Sequence, residues 1–80
     1  MKVNMCKVFD PMVGEWIDIG VFSTLAKAME AGSLYIIDVC EGATLLDWDH
    51  DPNVYTDWFQ GKTGAIFTRV ITECEVDRAL

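Results

Sequence analysis

Leu25-Ala26-Lys27-Ala28-Met29-Glu30-Ala31-Gly32-Ser33-Leu34-Tyr35-Ile36-Ile37-Asp38-Val39-Cys40 is the stretch on which the fold of this 80-residue chain turns. Residues 25–31 are good helix formers. Just upstream, Ser23 or Thr24 offers a hydroxyl to cap the free amides of a first turn. Leu25, Ala28 and Met29 share one helical face, with Gly32 next on the same stripe. Beyond Gly32 two readings are open. The stripe can run on through Tyr35, Ile36 and Val39 as one long helix, which leaves Leu34 and Ile37 on the wet side. Alternatively, Gly32 is the helix C-cap and Leu34 to Cys40 is a strand, as its β-branched and aromatic residues suggest. The strand is the favoured reading.

On the N-terminal side, Lys2 to Phe9 is a run of β-friendly residues, and Asp10-Pro11-Met12-Val13-Gly14 is turn-forming, with Pro suited to the first corner and Gly to a left-handed exit. Glu15 to Phe22 then alternates, placing Ile17, Ile19 and Val21 on one face and Trp16, Asp18 and Gly20 on the other. Together these segments predict an antiparallel hairpin. On the C-terminal side, Glu41-Gly42 is a turn, and Ala43 to Trp48 is a short strand or the entry to a loop. Asp47 to Asn53 is polar and turn-forming, Val54 to Gln60 is a strand with three aromatics, and Gly61-Lys62-Thr63-Gly64 is a tight turn. Ala65 to Val76 is a long final strand. Its even set (Ile66, Thr68, Val70, Thr72, Cys74, Val76) is the expected core face, and Phe67, Arg69, Ile71, Glu73 and Glu75 are expected to point away. The whole reads as a single α+β domain, a mainly antiparallel sheet with one helix packed on a face, in the order ββαβ(β)ββ.

Composition narrows the classes of function. Hydrophobic residues make up 51% of the chain, enough to bury a core without metals or disulfides. No apolar run approaches the roughly 18 residues of a membrane span. Met1-Lys2-Val3-Asn4-Met5 has no secretory apolar stretch, so a cytoplasmic location is expected. Cys6, Cys40 and Cys74 are odd in number and widely spaced, which suits reduced thiols. A Cys₃His zinc site with His50 lacks any pair at ligand spacing. Thirteen carboxylates against six basic residues give a net charge of −7. That charge repels phosphate backbones and anionic membranes, so neither nucleic acid nor membrane is an expected direct partner. A protein with a basic surface is. Homodimerisation through an exposed edge strand, with Lys2 to Phe9 as the candidate, is a further expectation.

Gly20-Val21-Phe22-Ser23-Thr24-Leu25-Ala26-Lys27-Ala28 resembles a signature of small uncharacterised prokaryotic and phage-encoded domains, in which a hairpin leads through a "GVFST" step into a short helix with a Lys-Ala pair. In those domains the last strand often ends in Val-Asp, as at Val76-Asp77. The resemblance implies a ββα start followed by further strands; together with the small size and the acidity it suggests a phage origin. It identifies a scaffold and transfers no functional residue.

Several candidate chemistries fail on spacing. Asp47, Asp49 and Asp51 open like a calcium loop, but its sixth and twelfth positions hold Pro52 and Trp58. Gly61-Lys62-Thr63 lacks the first glycine of a phosphate loop and no helix pattern follows it. With one histidine, no Gly-x-Ser-x-Gly and no metal spacing, no catalytic constellation is visible, and neither enzyme activity nor a cofactor is expected. The most suggestive segment runs from Asp47 to Phe59. There Asp47, Trp48, Asp49, His50, Asp51, Tyr55, Asp57 and Trp58 combine aromatic anchors with acids that would steer a basic partner. The competing reading is that these aromatics are core anchors. The expected function is a small acidic binding protein, phage-encoded, inhibiting a host protein by occupying a basic surface and mimicking nucleic acid if that surface normally holds it. The alternative is a binder of a small ligand or nucleotide derivative that sequesters a signal.

Overall fold

The helix does not stop at Gly32. In the computed structural model, which describes residues 1–76, one helix α1 (Leu25–Val39) runs through the glycine, and no strand forms at 34–40. Thr24 is its N-cap, with Oγ1 accepting from the Lys27 amide at 3.1 Å. The Cys40 amide donates to the Ile36 carbonyl at 2.8 Å at the other end. Gly32 is buried, and a Cβ there would lie 2.6 Å from Arg69 Cδ and 3.2 Å from Cys6 Sγ. The glycine is therefore a packing gap, not a stop. As a long helix requires, Leu34 and Ile37 are left 61% and 54% exposed.

Five strands accompany the helix: β1 (Lys2–Asp10), β2 (Glu15–Phe22), β3 (Thr44–Asp51), β4 (Val54–Gln60) and β5 (Ile66–Glu75). They form one sheet in the order β2-β1-β5-β4-β3, every neighbouring pair antiparallel. The fold is thus α+β, with one helix on one face. The β1–β2 hairpin closes as expected, its turn ending on Gly14 at φ 72, whose amide donates to the Asp10 carbonyl at 2.8 Å. Strand β1 lies between β2 and β5, so it is not an edge, and an edge-mediated dimer cannot use Lys2 to Phe9. Asp47 to Asp51 belongs to β3 and is not loop; Pro52 and Asn53 alone make the turn, because β4 supplies a paired strand from Asp51↔Val54 back to Thr44↔Gln60. Of the expected Val76-Asp77 ending, Asp77 lies outside the described residues.

Helix α1 packs on β1, β2 and β5, and has no Cα within 8 Å of one in β3 or β4. The core beneath it comprises Cys6, Ala28 and Ile71, and next to them Val8, Ile36 and Phe67. This reverses the expected core face of β5. Phe67, Arg69 and Ile71 are buried, whereas Thr68, Val70, Thr72 and Cys74 lie on the uncovered side. The inward arginine is tolerated because β4 presents Asp57 directly opposite it. A bulge also breaks the expected alternation of β2. Cys6 pairs with Gly20 and Lys7 with Asp18, so Ile19 is skipped; Ile19 packs on the core while Val21 turns to the other face.

The registers assemble the uncovered face into rows across the sheet. One row runs Trp16, Phe9, Thr68, Trp58 and Asp47, and the next runs Asp18, Lys7, Val70, Thr56 and Asp49. A third runs Val21, Met5, Thr72, Val54 and Asp51.

Candidate protein-binding edge

Every residue of β3 is exposed, and among the described residues the strand pairs with β4 alone. A bulge at Leu46 resets its alternation. Past the bulge, Asp47, Asp49 and Asp51 share the uncovered sheet face with Trp58, Thr56 and Val54, their cross-strand partners. Trp48 and His50 share the helix-side face with Asp57 and Tyr55. Trp48 is 58% exposed and stacks on Tyr55, with ring centroids 6.2 Å apart and planes 16° from parallel. His50 meets the same tyrosine edge-on at 5.5 Å. The Trp48 amide donates to its neighbour's carboxylate, Asp47 Oδ1, at 2.8 Å. In an antiparallel ladder alternate amides point to opposite edges, so this bond places the Trp48 amide, and with it that of His50, on the outer edge.

The eight residues expected to form one partner surface divide among three environments. Asp47, Trp48, Asp49, His50 and Asp51 are brought together on the exposed strand. Tyr55 is half-buried, packed against the core under α1, while Trp58 is half-buried on the opposite face of the sheet. Asp57 is wholly buried and is withdrawn from the partner surface. Burial and the nearby Asp57 charge push the Tyr55 phenol above its ordinary range.

Asp57 belongs to a polar cluster that reading the sequence missed. Arg69, 3% exposed, donates from Nε to Asp57 Oδ1 at 2.8 Å and from Nη2 to Asp57 Oδ2. Its Nη1 donates to the Met29 carbonyl at 2.6 Å and the Ser33 hydroxyl at 2.7 Å, both on α1. The guanidinium also lies 4.9 Å from the centre of the Phe59 ring. The signal was available in the Gly61–Gly64 turn. Once it fixes Gln60 against Ile66, counting back sets Asp57 opposite Arg69. A second such contact joins Tyr35 of α1 to the buried Asp10, hydroxyl to Oδ2, at 2.8 Å.

The three cysteines are free and lie apart. Cys6 faces α1, Cys40 ends the helix, and Cys74 lies on the uncovered face with Sγ 3.6 Å from Met5 Sδ. Burial pushes the Cys6 thiol up to about 11, the Arg69 charge opposing and the Asp57 charge assisting. Among the described residues no group of three or more His, Cys, Asp or Glu side chains could hold a metal ion. Alternate strand residues are roughly 7 Å apart, which keeps Asp47, Asp49 and Asp51 in a line and not around a centre. No helix of the described residues is long and apolar enough to cross a membrane. A groove of about 450 Å³ opens on the uncovered face, lined by Met5, Lys7, Asp18, Val21, Thr72 and Cys74 among others. Compared with protein-family models, curated proteins and solved structures, the chain matches none of them.

Proposed function

We propose that this chain is a non-enzymatic binding protein that engages a protein partner through β3, the partner offering a basic surface. The observation that carries the reading is the two-sided character of β3, with three aspartates aligned on one face and the exposed Trp48 on the other. An aromatic anchor gives affinity, and a line of like charges steers and registers its complement. The net charge of −7 extends that steering beyond the strand. If the basic surface normally holds nucleic acid, the aspartates stand in for phosphates and the protein acts as an inhibitor. The resemblance around Gly20 to Ala28 supports a phage-encoded protein acting on a host target in the bacterial cytoplasm. The test is partner capture from a bacterial lysate by the wild type and by a Trp48→Ala, Asp49→Lys double variant. Both positions are exposed, so circular dichroism is expected to stay unchanged while the wild type's partners are lost. Recovery of the same partners by both proteins rejects this surface.

The groove on the uncovered face supports a second reading, a small-ligand binder. Lys7 is the cation among its lining residues, and its ammonium sits 4.8 Å from the centre of the Trp16 ring. With Met5, Val21 and Cys74 beside it, the groove suits a small apolar ligand better than a nucleotide phosphate. Mass spectrometry of molecules released on denaturation tests this, and an empty release counts against it.

A further inference from the structure

The outer edge of β3 is built to accept backbone as well as side chains. We propose that it receives an extended basic segment of the partner as an added strand, hydrogen-bonded to the main chain of Trp48 and His50. Basic side chains of that segment then lie over Asp47, Asp49 and Asp51, and its alternate apolar side chains rest against Trp48. The inference builds on the basic-partner reading above and specifies the mode of contact.

Unpaired strand edges attract further strands, and natural proteins guard them with charge or bulges. Here the Leu46 bulge interrupts one end of the edge, leaving residues 47–51 regular. The charges decide which strand can use it. A second copy pairing antiparallel across β3 would set Asp47, Asp49 and Asp51 of both chains on the same face, carboxylate against carboxylate, which is destabilising. A segment alternating arginine or lysine with apolar residues reverses the sign of every such pair. Its apolar face meets a ready surface, because the exposed Trp48 ring lies stacked on a half-buried Tyr55.

The hydrogen bond from the Trp48 amide to Asp47 Oδ1 links charge to backbone pairing. While it holds, the outward amide at the centre of the edge is occupied. A guanidinium or ammonium from an incoming segment offers Asp47 a stronger, charge-assisted partner. The freed amide can then donate to a carbonyl of the same segment. A neutral strand offers the amide an acceptor but gives the carboxylate nothing in exchange. The edge is therefore selective for basic strands by more than long-range attraction.

The experiment titrates the full chain with three short synthetic peptides, by calorimetry and by amide chemical shifts. One alternates arginine and valine, one has the same composition with its arginines clustered, and one repeats the alternating sequence with alternate backbone nitrogens methylated on its pairing edge. The alternating peptide is expected to bind, with the largest shifts at the Trp48 and His50 amides. Methylation that removes two backbone bonds should weaken it about tenfold or more, and clustering should weaken it as well. Equal binding of the methylated peptide, still lost in Asp49→Lys, overturns strand addition while leaving a basic partner in place. Failure of every arginine peptide to bind overturns both. Self-association of the free protein that broadens the same two amides also overturns the proposal, since a second copy would then hold the edge.

Discussion

Removing the Asp57 carboxylate should cost this domain a large part of its stability. In Asp57→Leu the Arg69 guanidinium stays buried, with only the Met29 carbonyl and the Ser33 hydroxyl left to accept from it. Breaking a buried ion pair from one side typically costs about 3–5 kcal/mol, because the remaining charge is neither solvated nor paired. An 80-residue domain has a total stability of roughly 4–12 kcal/mol at the usual value per residue. The single substitution thus removes at least about a quarter of it, and in a marginal domain nearly all. Replacing both partners, as in Asp57→Leu with Arg69→Met, should cost far less. No orphan charge remains, and the Ser33 hydroxyl can turn to the Met29 carbonyl, the i−4 position of its own helix. Urea unfolding of the wild type, both single variants and the double, followed by circular dichroism and tryptophan fluorescence, completes the cycle. A loss below about 1 kcal/mol in Asp57→Leu would refute the ion-pair reasoning, since that is the scale of an ordinary hydrogen bond. A double variant less stable than the single would refute it as well.

Two further predictions concern the helix. Gly32→Ala gains about 1 kcal/mol of helix propensity, but its methyl would meet Arg69 Cδ at 2.6 Å, on a stem pinned at its far end by Asp57. Overpacking of about 1–3 kcal/mol should outweigh the gain; calorimetry should show a lower Tm, and a rise would mean that the stem moves freely. Tyr35→Phe removes the hydrogen bond to Asp10, which raises the phenol above its ordinary 10.0. A raised acid contributes stability that is fully present below pH 10.0 and is lost as pH rises through the folded-state value. The variant should therefore be less stable at neutral pH, by roughly 1–3 kcal/mol, and the gap should close above pH 10.0. Urea midpoints at neutral and alkaline pH check this, and a gap that widens with pH is the wrong sign.

Two of the three hairpin turns and the N-cap were legible because each rests on local chemistry: Pro11 and Gly14 at one turn, Gly61 and Gly64 at the other, and a hydroxyl before Leu25. Two of the misread features depend on contacts distant in sequence. Gly32 has the look of a helix stop, but its missing side chain makes room for Arg69, 37 residues away (69 − 32). The inner face of β5 was hidden for the same reason, since Arg69 makes the correct face look polar until Asp57 is set against it. Residues 47–53 look like loop by composition, and most of that polarity is the charge of an edge strand. Of the proposed partner surface, Asp47 to Asp51 stand together in the sequence as one polar run, and all five are exposed on β3. Which side each residue takes was not legible, because that depends on the Leu46 bulge.

The buried cation also explains why there is a free surface at all. Helix α1 is held over β5 by two of its own groups, the Met29 carbonyl and the Ser33 hydroxyl, both accepting from Arg69 Nη1. On its other flank Tyr35 reaches Asp10 at the end of β1. Anchored on both sides, the helix covers β2, β1 and β5 and cannot shift to shield β4 and β3 without breaking one of these contacts. Asp57 ties β4 to β5 through Arg69 on the helix-side face while α1 stops short of β3, so Trp48 and His50 stay uncovered beside a half-buried Tyr55. An arm fixed at its base and bare along its outer edge suits a surface that a partner's backbone must approach. The ion pair that resembles an error in the core is thus what positions the edge.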